Sequence, residues 1–218
     1  MKLKAWPART PLENNEIDDL ISFEEMLKGC YAYIATGSNN SARYFEYYFS
    51  KYPHIIRRNR TSVAILDGNE TNDELEKLAD DVHLYFGMGC RNVTKIFVPK
   101  DYDFVRLLNV FNKYNYFKDH HKYRNNYDYN LTLHILNGKF YMANESIILF
   151  ENTSVFSPIG QLNYGFYTDK YPLLEQLRAS GELQCAVGHD NTPFGQAQTP
   201  SLTDYADDIN TLNFLTNL

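Results

Sequence analysis

The stretch that decides the fold prediction reads GMGCRNVTKIFV and occupies residues 87–98. Two glycines give the backbone around Cys90 conformations that other residues rarely adopt. The β-branched and aromatic residues that follow predict a strand over residues 93–98, which ends at Pro99. Cys90 is therefore expected on a turn before a strand, where a thiol can reach a substrate.

An amphipathic helix is predicted immediately before this turn. Asn72 can cap it, and apolar side chains then recur at steps of three and four residues until the chain reaches Gly87. A free cysteine is more often a small buried apolar residue than a nucleophile. The local pattern alone leaves both interpretations of Cys90 open.

Strands and helices alternate along the rest of the chain. Strands are predicted at residues 30–35, 62–66, 146–150 and 183–187, and helices at 40–50, 103–115, 121–136, 171–179 and after Pro200. This alternation predicts an α/β fold with a largely parallel sheet. Residues 188–200, which are rich in Gly, Pro, Asn and Gln, are predicted to form a mobile loop.

Composition restricts the class of protein. The chain has 218 residues, of which 44% are hydrophobic, so it can bury a core. Its net charge of -6 disfavours a nucleic-acid-binding protein, which usually carries a basic surplus. No apolar run approaches the roughly 18 residues of a membrane span, and no signal-peptide core follows Met1. We expect a cytoplasmic protein.

The cysteines and histidines predict no metal site. Cys30, Cys90 and Cys185 lack the spacing of metal ligands, and their odd number does not indicate a disulfide framework. Cys30 and Cys185 lie in apolar runs and are predicted core residues. The adjacent pair His120 and His121 cannot converge on one ion from a helix or a strand.

Four segments, in order along the chain, resemble the aldehyde dehydrogenase superfamily. Residues 87–98 resemble its nucleophile signature, and residues 34–38 (IATGS) resemble its Phe-Thr-Gly-Ser segment. Residues 154–159 (SVFSPI) are similar to its Glu-Ile-Phe-Gly-Pro-Val segment, and residues 192–195 (TPFG) to its Pro-Phe-Gly-Gly segment. A narrower similarity is to the acyl-CoA reductases related to the fatty acyl reductase of bacterial light emission, over residues 34–41, 43–48, 52–60, 85–98 and 123–130.

The resemblance implies a division of labour among these segments. Cys90 would be the nucleophile that carries the acyl group. Thr36, Gly37 and Ser38 would contact the diphosphate of NADPH or NADH at a helix start, and Phe156 and Pro158 would form a wall near the nicotinamide. The expected site consists of these residues and contains no metal ion. The expected substrate is an acyl-CoA.

The sequence also departs from the superfamily pattern. Where aldehyde-oxidising members carry a glutamate that activates water, residues 55–60 read IIRRNR. An enzyme that exchanges an acyl group between a cysteine and coenzyme A needs no such base. Ser154 replaces a glutamate that contacts the cofactor ribose in the superfamily. The arginines of residues 57–60 fit either a solvated loop or contacts to phosphate groups.

The resemblance implies an aldehyde dehydrogenase-like catalytic domain and the tail of a Rossmann-like nucleotide-binding domain, in a chain truncated at its N-terminus. We expect the nucleotide-domain remnant at residues 1–66, the catalytic domain at 67–188, and a C-terminal loop and helix at 189–218. The implied activity is reduction of a fatty acyl-CoA to an aldehyde through an acyl-Cys90 thioester. A non-catalytic remnant or interaction subunit is the first alternative, and an aldehyde-oxidising dehydrogenase is the second. A homo-oligomer, or association with other acyl-processing subunits, is compatible with each.

Overall fold

The computed structural model describes residues 3–5 and 21–218. Two compact units contain them: one comprises the described residues up to Arg58 together with Ile209–Leu218, and the other comprises Asn59–Asp208. Residues 1–2 and 6–20 of the expected nucleotide-domain remnant lie outside the described residues. No helix within the described ranges is long and apolar enough to cross a membrane.

The secondary structure follows the alternation that the sequence predicts. In chain order the strands are β1 (Leu3–Ala5), β2 (Ile21–Phe23), β3 (Tyr33–Thr36), β4 (His54–Arg57), β5 (Thr61–Ile65), β6 (Val93–Val98), β7 (Met142–Ala143), β8 (Ile148–Glu151), β9 (Gln161–Phe166) and β10 (Leu183–Val187). The α-helices are α1 (Asn39–Phe49), α2 (Asn72–His83), α3 (Phe104–Phe111), α4 (His121–Leu136), α5 (Lys170–Ala179) and α6 (Thr211–Thr216).

The smaller unit is built around one β-α-β crossover. Strands β3 and β4 pair in parallel, and α1 connects them. Tyr33 of β3 stacks on Phe49 of α1, with ring centroids 4.1 Å apart. Strand β4 occupies part of the segment 55–60, where a solvated loop was one of two expectations, because Ile55 is buried and its strand pairs along its whole length with β3.

The larger unit contains a six-stranded sheet in the order β10-β5-β6-β9-β8-β7. Each neighbouring pair is parallel except β7 and β8, which confirms the predicted α/β fold with a largely parallel sheet. All five residues of β5 are buried, as expected of a central parallel strand covered on both faces. The domain bounds expected from the sequence assign residues 61–66 to the nucleotide-domain remnant. In the structure, β5 lies in the larger unit because it pairs with β6 and β10.

Helices cover both faces of this sheet. One face packs against α2, α3 and α4 through apolar side chains that include Leu78, Phe111 and Tyr123. The opposite face packs against α5, where Leu174 and Leu177 contact the smaller core cluster. The sheet is therefore buried between two layers over β5 and β6, the strands that flank Cys90 in sequence and in space.

Several predicted boundaries move in the structure. Helix α2 begins with a capping box between Thr71 and Glu74 instead of a cap at Asn72, and it ends at His83, four residues before Gly87. Tyr85 and Phe86 have φ angles of 55° and 58°, so the helix cannot continue through them. The helix predicted at 103–115 ends at residue 111 and continues as a 3₁₀ segment to residue 119, and the last helix begins at residue 211, later than expected.

Candidate functional site

The turn that carries Cys90 is held by the buried side chain of Asn92. Its Oδ1 accepts a hydrogen bond from the Gly89 N–H at 2.8 Å, while its Nδ2 donates to the carbonyls of Asp81, Val82 and Leu84 at 3.0, 3.3 and 2.8 Å. One amide side chain thus binds both the end of α2 and the turn itself. No pattern in the sequence predicts this role of Asn92.

Both glycines before Cys90 are required by this geometry. Gly87 has a φ of 73°, in the left-handed region that favours glycine. A Cβ on Gly89 would lie 2.9 Å from Asn92 Oδ1, so a side chain there would displace the bond that closes the turn. The glycines therefore allow Asn92 to approach the backbone, in addition to the flexibility expected from the sequence.

The Cys90 side chain is exposed. A nucleophile has to be accessible to its substrate, whereas a core residue would be buried. Its backbone carbonyl accepts a hydrogen bond from Ser62 Oγ at 3.1 Å, and Ser62 Oγ in turn accepts one from Cys185 Sγ at 3.0 Å. Cys185 is partly buried, and burial raises the pKa of its thiol. The fold thus places a second, less reactive thiol behind the turn, where the sequence predicted only a core residue.

The segment at 192–195 is anchored to the helix that precedes Cys90. Asp81 is fully buried on α2, and its carboxylate accepts hydrogen bonds from the N–H groups of Gly195 at 2.6 Å and Ala197 at 3.1 Å. Burial raises the pKa of Asp81 to about 6, against the opposing effect of these two bonds. The middle of the loop predicted to be mobile is therefore tied to the protein interior.

The segment that contains Phe156 and Pro158 lies beside the same turn. Residues 157–161 line one small cavity together with Phe86, Gly87 and Thr94, so the structure brings the segment of Pro158 next to the backbone before Cys90. Phe156 is half-buried and lines a separate open groove on the α5 side of the sheet. Ser154 is exposed, and its Oγ bonds to the backbone N–H and carbonyl of Phe156.

The Thr36-Gly37-Ser38 turn joins β3 to α1 in the smaller unit. Ser38 is the N-cap, and its Oγ accepts a hydrogen bond from the Ser41 N–H at 3.2 Å. Thr36 and Ser38 are exposed, and the first turn of α1 contains no acidic side chain. The Gly37 N–H already donates to the Arg57 carbonyl at 3.1 Å. The exposed hydroxyl groups and the positive dipole end of the helix suit a phosphate group, so the turn is compatible with the diphosphate of a nicotinamide cofactor.

Gly37 itself has a structural role that the sequence did not reveal. A Cβ at this position would lie 2.7 Å from Ser41 Cβ and 3.0 Å from Phe45 Cε2. The absent side chain lets α1 pack directly on the turn. Any substitution of Gly37 will therefore disturb the helix as well as a bound phosphate.

The arginines of the 57–60 segment already have partners. Arg57 Nη2 donates to Thr211 Oγ1 at 2.8 Å within the smaller unit. Arg58 pairs with Glu46. Arg60, in the larger unit, pairs with Asp207 at 3.2 Å. These contacts give the cluster a structural role and weaken its assignment as a phosphate site.

No metal centre is formed in the part of the chain that the structure describes, because no group of three His, Cys, Asp or Glu side chains could hold an ion there. Beyond Asn92 and Asp81, sequence reasoning also missed two buried polar residues, Lys95 on β6 and Asn163 on β9. Lys95 is a charged residue within a mostly apolar predicted strand, whereas Asn163 lies in a segment whose composition is that of a loop.

No protein-family model matches the chain, and no curated protein matches its sequence. Solved structures match its fold. An NAD-dependent aldehyde dehydrogenase from Sinorhizobium meliloti is 10% identical with a TM-score of 0.50, and the match covers 86% of this chain and 41% of that chain. An indole-3-acetaldehyde dehydrogenase of P. syringae, solved with NAD+ and IAA, is 9% identical with a TM-score of 0.50, and the match covers 72% and 39%.

These similarities show an aldehyde dehydrogenase-like fold over part of the chain, as the sequence predicts. The matched region spans 41% and 39% of the length of the two dehydrogenases. The roles of Cys90, of the Thr36-Gly37-Ser38 turn and of Phe156 and Pro158 stay predictions.

Proposed function

We propose that this chain carries the catalytic part of an NAD(P)H-dependent oxidoreductase that reduces a fatty acyl-CoA to an aldehyde through an acyl thioester on Cys90. One observation carries the proposal. An exposed thiol stands on a turn that a buried asparagine holds in place, within an aldehyde dehydrogenase-like fold. A fixed backbone with an accessible thiol is what covalent catalysis by cysteine requires.

Cys90 acts first. Its thiolate attacks the thioester carbonyl of the acyl-CoA, the bond to the sulfur of coenzyme A breaks, and the released thiolate takes up a proton. The backbone N–H of Cys90 is the candidate donor to the oxyanion of this step. A bound NADPH or NADH supplies the hydride that reduces the acyl carbon. The bond from that carbon to Cys90 Sγ then breaks, which releases the aldehyde and restores the thiolate.

The surroundings of the turn favour acyl exchange over hydrolysis. Hydrolysis needs a base that activates water, and the segment 55–60 supplies no carboxylate. Asp81, which lies on the helix before the turn, is fully buried and bound to two backbone N–H groups, so its carboxylate is not available to water. An acyl-Cys90 thioester would therefore last long enough to react with coenzyme A or a hydride.

The remaining predicted site residues complete the proposal. Thr36 and Ser38 would bind the cofactor diphosphate through their exposed hydroxyl groups at the start of α1, and Gly37, which has no side chain, would let the phosphate approach the turn. Phe156 and Pro158 would bound the nicotinamide. These residues do not favour NADPH over NADH. A basic side chain that binds the extra ribose phosphate of NADPH would do so, and Thr36, Gly37, Ser38, Phe156 and Pro158 include none.

A second candidate is oxidation of an aldehyde to an acid with NAD+. It is favoured by the names of the structural neighbours, which are NAD-dependent and indole-3-acetaldehyde dehydrogenases. It requires a water-activating base, and residues 55–60, where the resemblance places that base, contain no carboxylate. A non-catalytic remnant that keeps the fold is the third candidate, and it predicts no acylation of Cys90.

Acylation tests the proposal without any nucleotide. The purified chain is incubated with radiolabelled fatty acyl-CoA, and the labelled peptide is mapped by mass spectrometry. We expect label on Cys90 in the wild type and in the matched control variants Cys185→Ala and Cys30→Ala, and none in Cys90→Ala. A Cys90→Ala variant that keeps the label while Cys185→Ala loses it would show that the wrong thiol was assigned.

Adding a nucleotide then separates the first two candidates. Under the proposal, NADPH or NADH releases the label from Cys90 as an aldehyde. If acyl-CoA leaves no label, but an aldehyde with NAD+ yields reduced nucleotide in the wild type and not in Cys90→Ala, the oxidising candidate replaces it. Absence of both reactions would favour the non-catalytic remnant.

A further inference from the structure

The backbone at residues 152–156 is bound to the sheet through its carbonyl groups. Lys95 Nζ, on β6, donates hydrogen bonds to the carbonyls of Asn152 at 2.5 Å and Thr153 at 3.0 Å. The aliphatic part of Lys95 passes Gly165, whose missing side chain leaves room for it, since a Cβ there would lie 3.3 Å from Lys95 Cε.

Two further side chains bind the next three carbonyls. Asn163 Nδ2, on β9, donates to the carbonyls of Ser154 at 3.1 Å and Phe156 at 2.9 Å. Thr94 Oγ1 donates to the carbonyl of Val155 at 2.6 Å. Five consecutive carbonyls are thus held by three side chains, which we call the carbonyl clamp: Lys95, Asn163 and Thr94.

Two of the three clamp side chains are buried, and Thr94 is partly buried. Lys95 is 2% exposed and Asn163 is 0% exposed, and the two residues are direct register partners on adjacent parallel strands. Asn163 Oδ1 also accepts a hydrogen bond from Gln161 Nε2 at 2.8 Å, which fixes the orientation of its amide. Donors that are held in this way bind a backbone segment in one conformation.

A lysine is a costly choice for this position. Burial disfavours the charged ammonium and lowers the pKa of Lys95 to about 8, and no carboxylate pairs with it among the described residues. An apolar side chain would fill the same space without that cost. Two contacts offset the cost of burying the ammonium group. Lys95 Nζ donates to the carbonyls of Asn152 and Thr153, and it lies 4.8 Å from the centroid of the Phe97 ring.

The segment does not hold itself against the sheet. Its internal hydrogen bonds, from the Ser154 N–H to Asn152 Oδ1 and from the Phe156 N–H to Ser154 Oγ, only shape the local turns. Contacts from the sheet to the backbone carbonyls come from the clamp. The Asn152 N–H also donates to the Tyr164 carbonyl of β9 at 3.1 Å. Removing the clamp should therefore free the backbone after Asn152, while this anchor and the local turns remain.

We propose that Lys95 and Asn163, with Thr94, are positioning residues that fix the backbone of residues 152–156 and thereby set the placement of Phe156 and Pro158 for a nicotinamide cofactor. The inference rests on the proposed function in one respect, the contact of Phe156 and Pro158 with the cofactor. Its test is designed so that this premise and the clamp can fail separately.

The experiment compares four variants of the full chain. Lys95→Met and Asn163→Leu remove donors with little change of volume, and Thr94→Val removes a single hydroxyl group. Lys139→Met is the matched control, because Lys139 is an exposed lysine that lines the same groove. Hydrogen exchange of the amides at 152–158, followed by mass spectrometry, reports the clamp, and fluorescence titration with NADPH and with NADH reports the cofactor.

We expect Lys95→Met to speed exchange in residues 152–158 and to weaken nucleotide binding about ten-fold, which is the effect of losing roughly one charge-assisted hydrogen bond. Asn163→Leu should have a similar effect and Thr94→Val a smaller one, while Lys139→Met should match the wild type. If Lys95→Met or Asn163→Leu does not fold, Thr94→Val decides the outcome, since its change is the smallest.

A pH titration separates positioning from simple packing. The other titratable side chains along the groove are Glu151, Glu182 and Lys139. As the pH rises through about 8, Lys95 loses its proton and its bonds to the carbonyls weaken, so nucleotide affinity of the wild type should fall. The fall should persist in Lys139→Met and vanish in Lys95→Met. An equal fall in all proteins would overturn the role of Lys95.

The two premises fail differently. Faster exchange at 152–158 with unchanged nucleotide affinity would overturn the positioning role and leave the proposed function intact. Unchanged exchange in all three clamp variants would overturn the clamp itself. A wild type that binds neither NADPH nor NADH, although Cys90 is acylated, would remove the cofactor premise and the positioning role together.

Discussion

Two glycine-containing turns carry the predicted chemistry, and they are stabilised in different ways. The turn of residues 36–38 is held within the smaller unit, since Ser38 caps α1, Gly37 packs against Ser41, and the Gly37 N–H donates to the Arg57 carbonyl of β4 at 3.1 Å. The Cys90 turn is fixed by Asn92, which reaches back to the end of α2. It is also bonded to Ser62, which is distant in sequence.

The difference shows how much each turn depends on the rest of the protein. The first turn takes its hydrogen bonds from its own helix and from β4, so it depends on the smaller unit. The Cys90 turn depends on the packing of β5 against the end of α2, because its hydrogen bonds join it to Ser62 of β5 and, through Asn92, to carbonyls at the end of α2. Damage to the larger core should therefore reach the Cys90 turn and spare the other.

The largest effect should come from Asn92→Leu. The substitution leaves the Gly89 N–H and three carbonyls without the partner they have now, in a site with no exposure to water. We expect a loss of about 3 to 5 kcal/mol in unfolding free energy and no acylation of Cys90. Urea denaturation measures the unfolding free energy, and labelling with acyl-CoA measures the acylation of Cys90.

The matched control is Asn109→Leu, at an exposed position of α3, which should change stability by about 0.5 kcal/mol or less. Exchange at residues 36–40 should be the same in both variants. A loss of protection there in Asn92→Leu would contradict the independence of the two turns.

The second effect is a dependence on pH at the end of α2. His83 is 1% exposed, its Nδ1 bonds to the Ala79 carbonyl at 2.9 Å, and its ring stacks on Tyr114. Burial lowers its pKa to about 4 from 6.5. The unfolded state therefore binds the proton between these values, so stability rises with pH from about 4 to 6.5, by up to about 1.4 kcal/mol per pH unit.

Replacing the histidine should remove this contribution. Asp81 acts in the opposite direction, because its raised pKa of about 6 makes stability fall from pH 3.8 to 6, so the informative quantity is the difference between proteins. We expect the stability of the wild type minus that of His83→Phe to grow with pH over this range. A difference that stays flat over this range would show that burial does not lower the pKa of His83.

The smallest effect is the most direct comparison of the two turns. Gly89→Ala places a Cβ 2.9 Å from Asn92 Oδ1, and Gly37→Ala places one 2.7 Å from Ser41 Cβ. Each should cost about 1 to 2 kcal/mol. Gly89→Ala should also slow acylation of Cys90, whereas Gly37→Ala should leave the acylation rate unchanged and speed exchange in α1. Equal slowing by both variants would mean that the turns are coupled.

The regions read correctly from sequence share a physical property. Residues 93–98, 121–136 and 183–187 form the predicted strand, helix and strand, because each has a clear composition or periodicity and a local start or stop. Strand β9 was missed, since Gln161, Asn163 and Gly165 give it the composition of a loop. Its polar side chains are satisfied only by neighbours that the fold supplies.

The sequence by itself determined the alternation of strands and helices, the glycine-flanked position of Cys90 and the helix start after residue 38. These depend on backbone freedom, side-chain shape and capping within a few residues. Only the tertiary structure decided which buried polar groups hold the site: Asn92 under the turn, Asp81 on the 192–197 segment, and Lys95 with Asn163 under residues 152–156. These side chains bind backbone groups, which every residue has. A pattern of side chains in the sequence therefore cannot predict which backbone groups they bind.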